Sequence, residues 1–241
     1  MKSRLGVLIL LALVLPIQRS IGQDLKEFFS NTDNFLKNTV QYGRVDYATI
    51  KNSPDRLNAL VAAAKEIRIA ETDAANYQAF WINTYNILVI HGVVNNYPLK
   101  SPLSIPGFFD KITHEVGGEN ITLNDIENKV LRASFPKESR FHFVLVCAGL
   151  GCPPLINTAY KPATLDAQLQ KQTVKALNDD NFIRIDKKEV QISQIFQWYT
   201  EDFTKSGASL VDYINTYRTE KLPEDSKVTY YPYDWTLNSV N

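Results

Sequence analysis

The sequence predicts an α+β fold, and three observations carry that expectation. Two stretches of the N-terminal half, 54–67 and 73–95, have the apolar spacing of long helices. Two others, 111–123 and 182–192, read as β-hairpins about short turns. No internal repeat, linker or low-complexity run divides them, so one domain is expected over 23–241. Its expected shape is a helical N-terminal part packed on a small, mostly antiparallel sheet.

The chain opens on a segment with the grammar of a signal peptide, residues 1–22. Lys2 and Arg4 give a positive start, Leu5 to Leu15 an apolar run too short for a membrane span, and Ser20 and Gly22 small residues before a cut at Gln23. A secreted or periplasmic protein, with no stable membrane insertion after cleavage, is the expectation. Acidic and basic residues balance at 26 each. Three of the basic ones, Lys2, Arg4 and Arg19, fall in the leader, so the mature chain is mildly acidic. That argues against nucleic acid as a partner.

Asp24 to Val40 carries Leu25, Phe28, Phe29, Phe35 and Leu36, a helical spacing interrupted near Asn31-Thr32. Tyr42 to Tyr47 reads as a turn and a short extended piece. Ser53 caps the next helix, with Pro54 at its first position and Leu57, Leu60, Val61 and Ala64 on one face. Thr72 or Asp73 caps the longest helix, where Tyr77, Phe80, Trp81, Tyr85, Leu88 and Val89 leave little polar surface. A Pro-punctuated loop follows. The first hairpin then turns at Gly117-Gly118.

Thr122 opens a helix, with Asp125 placed for a capping box. Phe141 to Val146, aromatic and β-branched, reads as a buried strand, which would put His142, Val144 and Val146 on one face. A helix from Thr164 to Leu177 and the second hairpin follow. Ser193 caps a helix with Ile195, Phe196, Trp198, Tyr199 and Phe203; Ser209 to Tyr217 is a short helix, and Val228 to Tyr233 a last strand.

The residues that can carry chemistry gather around 140–155. The only two cysteines, Cys147 and Cys152, lie there, five apart across a glycine turn. In an oxidising compartment two cysteines pair by default. Alternatively, a helix starting at Pro153 would make Cys152 its N-cap and lower its pKa. Cys147, at the end of an apolar run, reads as core. His142 suits a general base for a thiol, or a hydrogen-bonded core residue. Glu127 interrupts an apolar helix face, where it can orient a histidine or pair with Arg132 or Arg140. Asn83 and Asn86 can donate to an oxyanion or hold a neighbouring loop. His91 and His114 read as structural. No metal or cofactor motif is present: the spacings of zinc sites, phosphate loops, serine elbows and dinucleotide fingerprints are missing.

Five motifs in order, Phe80-Trp-Ile-Asn-Thr-Tyr-Asn86, Thr122-Leu-Asn-Asp-Ile-Glu127, Arg140-Phe-His-Phe143, Gly151-Cys-Pro-Pro-Leu155 and Tyr233-Asp-Trp-Thr-Leu-Asn238, resemble the domain of unknown function 547 family. The resemblance implies an α+β domain related to papain-like thiol hydrolases, with Cys152, His142 and Glu127 as a catalytic triad. The chain order, Glu then His then Cys, differs from papain-like enzymes and implies a rearranged topology. Asn128 stands where the family often has histidine. The function so implied is a cysteine-dependent hydrolase or acyl transferase acting on an amide or thioester-like bond of a peptide or small substrate. The rival is a non-catalytic binding domain with a Cys147–Cys152 disulfide.

Overall fold

The computed structural model describes residues 21–187, 189–205 and 207–240. The expected leader therefore lies outside the described residues, except for its last two. Among the described residues no helix is long and apolar enough to cross a membrane.

Helix α1 (Ile21–Thr39) runs without a break through Asn31-Thr32. The sequence expectation of an interruption fails because Thr32 and Asp33 are buried and held. Asp33 takes ion pairs from Lys37 at 2.7 Å and Lys161 at 3.2 Å, and the Ala159 N–H at 3.1 Å. A tight hairpin follows, β1 (Val40–Gln41) and β2 (Arg44–Val45). The turn and short extended piece expected from Tyr42 to Tyr47 form there as Tyr42-Gly43 and β2. Tyr47 then starts helix α2 (Tyr47–Asn52), and the Asp46 carboxylate accepts the Thr49 N–H and caps it.

Helix α3 (Asp55–Glu66) begins one residue later than predicted, with Pro54 rather than Ser53 at its cap. Helix α4 (Ala74–Asn96) is the central element, with thirteen buried residues and Asp73 at its N-cap. Strands β3 (Thr113–Val116) and β4 (Glu119–Thr122) form the expected hairpin, and Gly117 and Gly118 adopt φ of 60° and 85°. Thr122 caps α5 (Leu123–Asp125), which widens into a π-helix over Ile126–Arg132. Helices α1, α3 and α4 share one apolar core with Val116 of the hairpin and Leu123, Ile126 and Leu131 of this segment.

The predicted strand Phe141–Val146 is not a strand. A 3₁₀ helix covers Ser139–Phe143, and irregular backbone follows. All six residues are buried as expected, but the alternation that would align His142 with Val144 and Val146 does not exist. A strand needs a neighbouring backbone. Here the Asn86 side chain takes that place: its amide nitrogen donates to the Val144 carbonyl at 3.0 Å, and its oxygen accepts the Val146 N–H at 2.9 Å.

Helix α6 (Leu165–Leu177), strands β5 (Ile183–Asp186) and β6 (Glu189–Ser193), helices α7 (Ile195–Trp198), α8 (Thr200–Thr204) and α9 (Leu210–Tyr217), and strand β7 (Lys227–Tyr231) complete the chain. β5 and β6 pair antiparallel, and β7 joins β6 in parallel. The fold is thus α+β, as predicted. Its strands form three small separate sheets instead of one. A second apolar core, built on Phe143, Leu177, Ile183, Ile192, Phe196, Phe203 and Ile214, fills this end.

Candidate active site

The two cores meet at Cys152, which packs against both. A cavity of about 340 Å³ opens there, and Glu127, His142, Cys147 and Cys152 all line it. The structure therefore brings the three predicted site residues to one place, together with a cysteine expected to be core. The C-terminal part closes the opposite wall with Trp198, Tyr199, Tyr233 and Trp235.

Irregular backbone, not a helix, follows Cys152. The expected helix N-terminus at Pro153 is not formed, and no helix dipole acts on the thiol. Close packing shapes the turn instead. A Cβ on Gly151 would lie 2.9 Å from the Asp234 nitrogen and from the Tyr233 ring, so only glycine lets the C-terminal strap approach. The Leu150 and Gly151 N–H groups donate to the Thr236 and Asp234 carbonyls at 2.8 and 2.7 Å. The Cys152 N–H donates to Gly149 at 3.2 Å. All three amides are committed to backbone carbonyls. Ala148, just before them, holds a left-handed φ of 63°, a strain of roughly 1 kcal/mol in an L residue.

Both cysteines are free thiols. The Cys147 N–H donates to the Cys152 sulfur at 2.9 Å, and the Tyr233 hydroxyl reaches Cys152 Sγ at 2.9 Å and Cys147 Sγ at 3.0 Å. Burial opposes ionisation of Cys147, yet hydrogen bonds from the Cys152 thiol, Tyr233 and the Gly149 N–H outweigh it and lower that thiol. Burial, then the neighbouring Cys147 sulfur, push Cys152 well up. The two thiols titrate as a pair in which Cys147 is the first to ionise.

His142 is nearly closed off, its side chain 3% exposed. Its Nε2 lies 2.9 Å from Asp202 Oδ2, and its ring stacks on Tyr199 with centroids 4.1 Å apart. Asp202 also accepts Arg132 Nε at 2.6 Å and Lys205 Nζ at 2.8 Å. Burial works against its charge, but hydrogen bonds from His142, Arg132 and Lys205 hold its carboxyl far below the usual carboxylate range. An ionised carboxylate only accepts, so Nε2 carries the hydrogen. In the neutral ring the free lone pair is then on Nδ1.

Glu127 is half-buried on the π-helix. Burial, then the nearby Glu127 charge, push the Tyr199 phenol well up. Among the described residues no hydrogen bond joins Glu127 to His142, or His142 to Cys152. Arg132 and Arg140, the predicted ion-pair partners of Glu127, bind Asp202 and Glu138 with Asp166 respectively. Arg132 also bonds Asn128, at the position where the family often has histidine, and lies 4.7 Å over the Tyr199 ring.

Asn83 and Asn86 of α4 are structural. Asn83 donates to the Ala79 and Tyr160 carbonyls and accepts the Tyr160 N–H at 3.0 Å, while Asn86 holds the segment before Cys147. His91 contacts Asn95, and His114 is lowered to about 4 by burial, then by His91. Among the described residues no group of three potential ligands is placed to hold a metal ion.

Sequence patterning passed over Tyr85, in the cavity wall, and Asp202, which holds His142 from behind it. Asp202 had a signal: it lies three after Tyr199 and next to Phe203, so a carboxylate shares the helix segment with buried rings, the same anomaly that marks Glu127. Tyr85 had none, being one aromatic among many on a buried helix.

Fold and cavity together define an α+β protein with a thiol pair, an imidazole and carboxylates around one apolar pocket. Residues 69–175 match a family described as "Protein of unknown function, DUF547". The match supports the family resemblance over that segment, which holds Glu127, His142 and both cysteines; Asp202 and Tyr233 lie beyond it. No curated protein and no solved structure matches the chain.

Proposed function

We propose that the protein is a secreted or periplasmic cysteine-dependent hydrolase or acyl transferase, acting on an amide or thioester-like carbonyl of a peptide or small substrate. One observation carries the proposal: Cys152 and His142 line the same cavity, and His142 is held by a buried carboxylate that fixes which nitrogen can act as base. Cys152 attacks the carbonyl carbon, and His142 Nδ1 takes its proton and later returns it to the leaving group. Asp202 is the positioning carboxylate for His142. Glu127, originally given that role, acts through Tyr199, whose ring stacks on the imidazole. The kinship to papain-like thiol hydrolases belongs to this proposal and rests on the shared chemistry.

Cys147 is the thiol that ionises first at rest, so Cys152 becomes the nucleophile only as His142 withdraws its proton in the step itself. The nearness of the two sulfurs also favours the rival, a binding domain in which they form a disulfide. Iodoacetamide labelling followed by peptide mapping separates them. Cys152 is expected to alkylate faster than Cys147, and to slow roughly 100-fold in His142→Ala and less in Glu127→Ala. A Cys147–Cys152 bridge that persists without reductant favours the binding domain and sinks the hydrolase.

A further inference from the structure

Acyl chemistry at Cys152 requires donors around the carbonyl oxygen, which takes on negative charge as sulfur adds. The obvious donors of this cavity are spent. The N–H groups of Leu150, Gly151 and Cys152 donate to backbone carbonyls, and that of Cys147 to Cys152 Sγ. Asn83 and Asn86 hold backbone. The Tyr233 hydroxyl is divided between the sulfurs, and that of Tyr199 faces Glu127.

Tyr85 remains. It sits on α4 between the two asparagines, is 2% exposed, and lines the cavity. Among the described residues its hydroxyl makes no hydrogen bond, although a buried phenol ordinarily has a partner. The hydroxyl feels both sulfurs, Glu127 and Tyr199; burial first, then these groups, push its pKa well up. It therefore stays protonated, and its hydrogen is available to an acceptor that fills the cavity.

We infer that Tyr85 is an oxyanion donor, its hydroxyl aimed into the cavity to meet the oxygen of the carbonyl that Cys152 attacks. The inference rests on the acyl-transfer proposal above. Asn83 and Asn86 fix α4 to Tyr160 and to the segment entering Cys147, so the phenol is preorganised relative to the thiols. In the step, the Cys152 thiol passes its proton to His142, the sulfur bonds to the carbonyl carbon, and the C=O π pair moves onto oxygen. Tyr85 donates a hydrogen bond to that oxygen without losing its proton. Collapse restores the C=O bond and expels the leaving group, which takes the proton back from His142 where it needs one.

The test compares wild type with Tyr85→Phe, which keeps the ring and its packing, in two reactions of the same thiol. p-Nitrophenyl acetate acylates through a tetrahedral oxyanion; iodoacetamide alkylates at a saturated carbon and forms none. Acylation of Cys152 is expected to fall roughly 100-fold in Tyr85→Phe, with alkylation and the unfolding midpoint unchanged. Equal acylation in both proteins overturns the inference. So does an equal fall in both reactions, since that means lost thiol reactivity. A wild type that alkylates at Cys152 but never acylates removes the acyl-transfer proposal itself, and the inference goes with it.

Discussion

Residues 69–175 and the C-terminal part from Ile195 onward both face the cavity, but they hold their groups by different physics. The first supplies the sulfurs and the imidazole, and fixes them with neutral amides: Asn83 and Asn86 of α4 each bind backbone at both ends of the side chain. The second supplies charge and rings, with Asp202 binding three cationic or imidazole partners and Trp198, Tyr233 and Trp235 packed ring against ring. Neutral amide bonds set position and are insensitive to pH. Ion pairs and phenols set protonation and respond to it. Placement of the reactive atoms thus belongs to one region and their proton inventory to the other.

The largest test of this division is Asp202→Asn. The substitution leaves Arg132 and His142 without their shared carboxylate in a site where the Asp202 side chain is 8% exposed. Breaking a buried pair costs about 3 kcal/mol, read by chemical denaturation, and activity at Cys152 should drop about 100-fold. The same residue sets an acid limit. Its carboxyl is lowered in the folded state, so it contributes stability above the ordinary carboxylate pKa of about 4, and that contribution is lost as pH falls below it toward the folded value. Acid unfolding of Asp202→Asn should lack this component.

Asn86→Ala probes the other region. It leaves the Val144 carbonyl and the Val146 N–H unpaired and buried, a loss of about 2 kcal/mol that should not change with pH between 5 and 8 in a window of roughly neutral conditions. A strong pH dependence there would erase the distinction between the regions.

Tyr233→Phe should cost little stability but shift the thiols. Its hydroxyl helps to lower Cys147, so removing it raises the first ionisation of the pair, seen as an alkylation profile displaced to higher pH. An unmoved profile would show that Tyr233 does not govern the first ionisation of the pair. Trp198→Ala should be the mildest change. The indole is 48% exposed, so unfolding should shift by under about 1 kcal/mol, with the effect confined to substrate KM.

What the sequence disclosed followed the regularity of each element. The helices at 55–66 and 74–96 and both hairpins carry a period and a turn or cap, and they form where expected. Phe141–Val146 carries burial without a period, since it is enclosed on all sides and its hydrogen bonds come from Asn86, far away in sequence. No local pattern encodes such a partner. The site was half legible for the same reason. Cys152, His142 and Glu127 stand out as polar groups in apolar runs, and they do share a cavity. Cys147 does pack against the second core as read, but it also lines the cavity, and the carboxylate beside His142 comes from a helix sixty residues later. Tyr85 carries no anomaly in sequence at all; only a cavity beside an unpartnered hydroxyl distinguishes it.

The central claim is that Cys152, and not its thiol partner, is the nucleophile that His142 activates. Peptide mapping of the full-length protein after brief exposure to p-nitrophenyl acetate tests it most directly. The acetyl group is predicted on Cys152 in wild type and lost in His142→Ala. Acetylation of Cys147 instead, or equal acetylation of Cys152 with and without the imidazole, would contradict it.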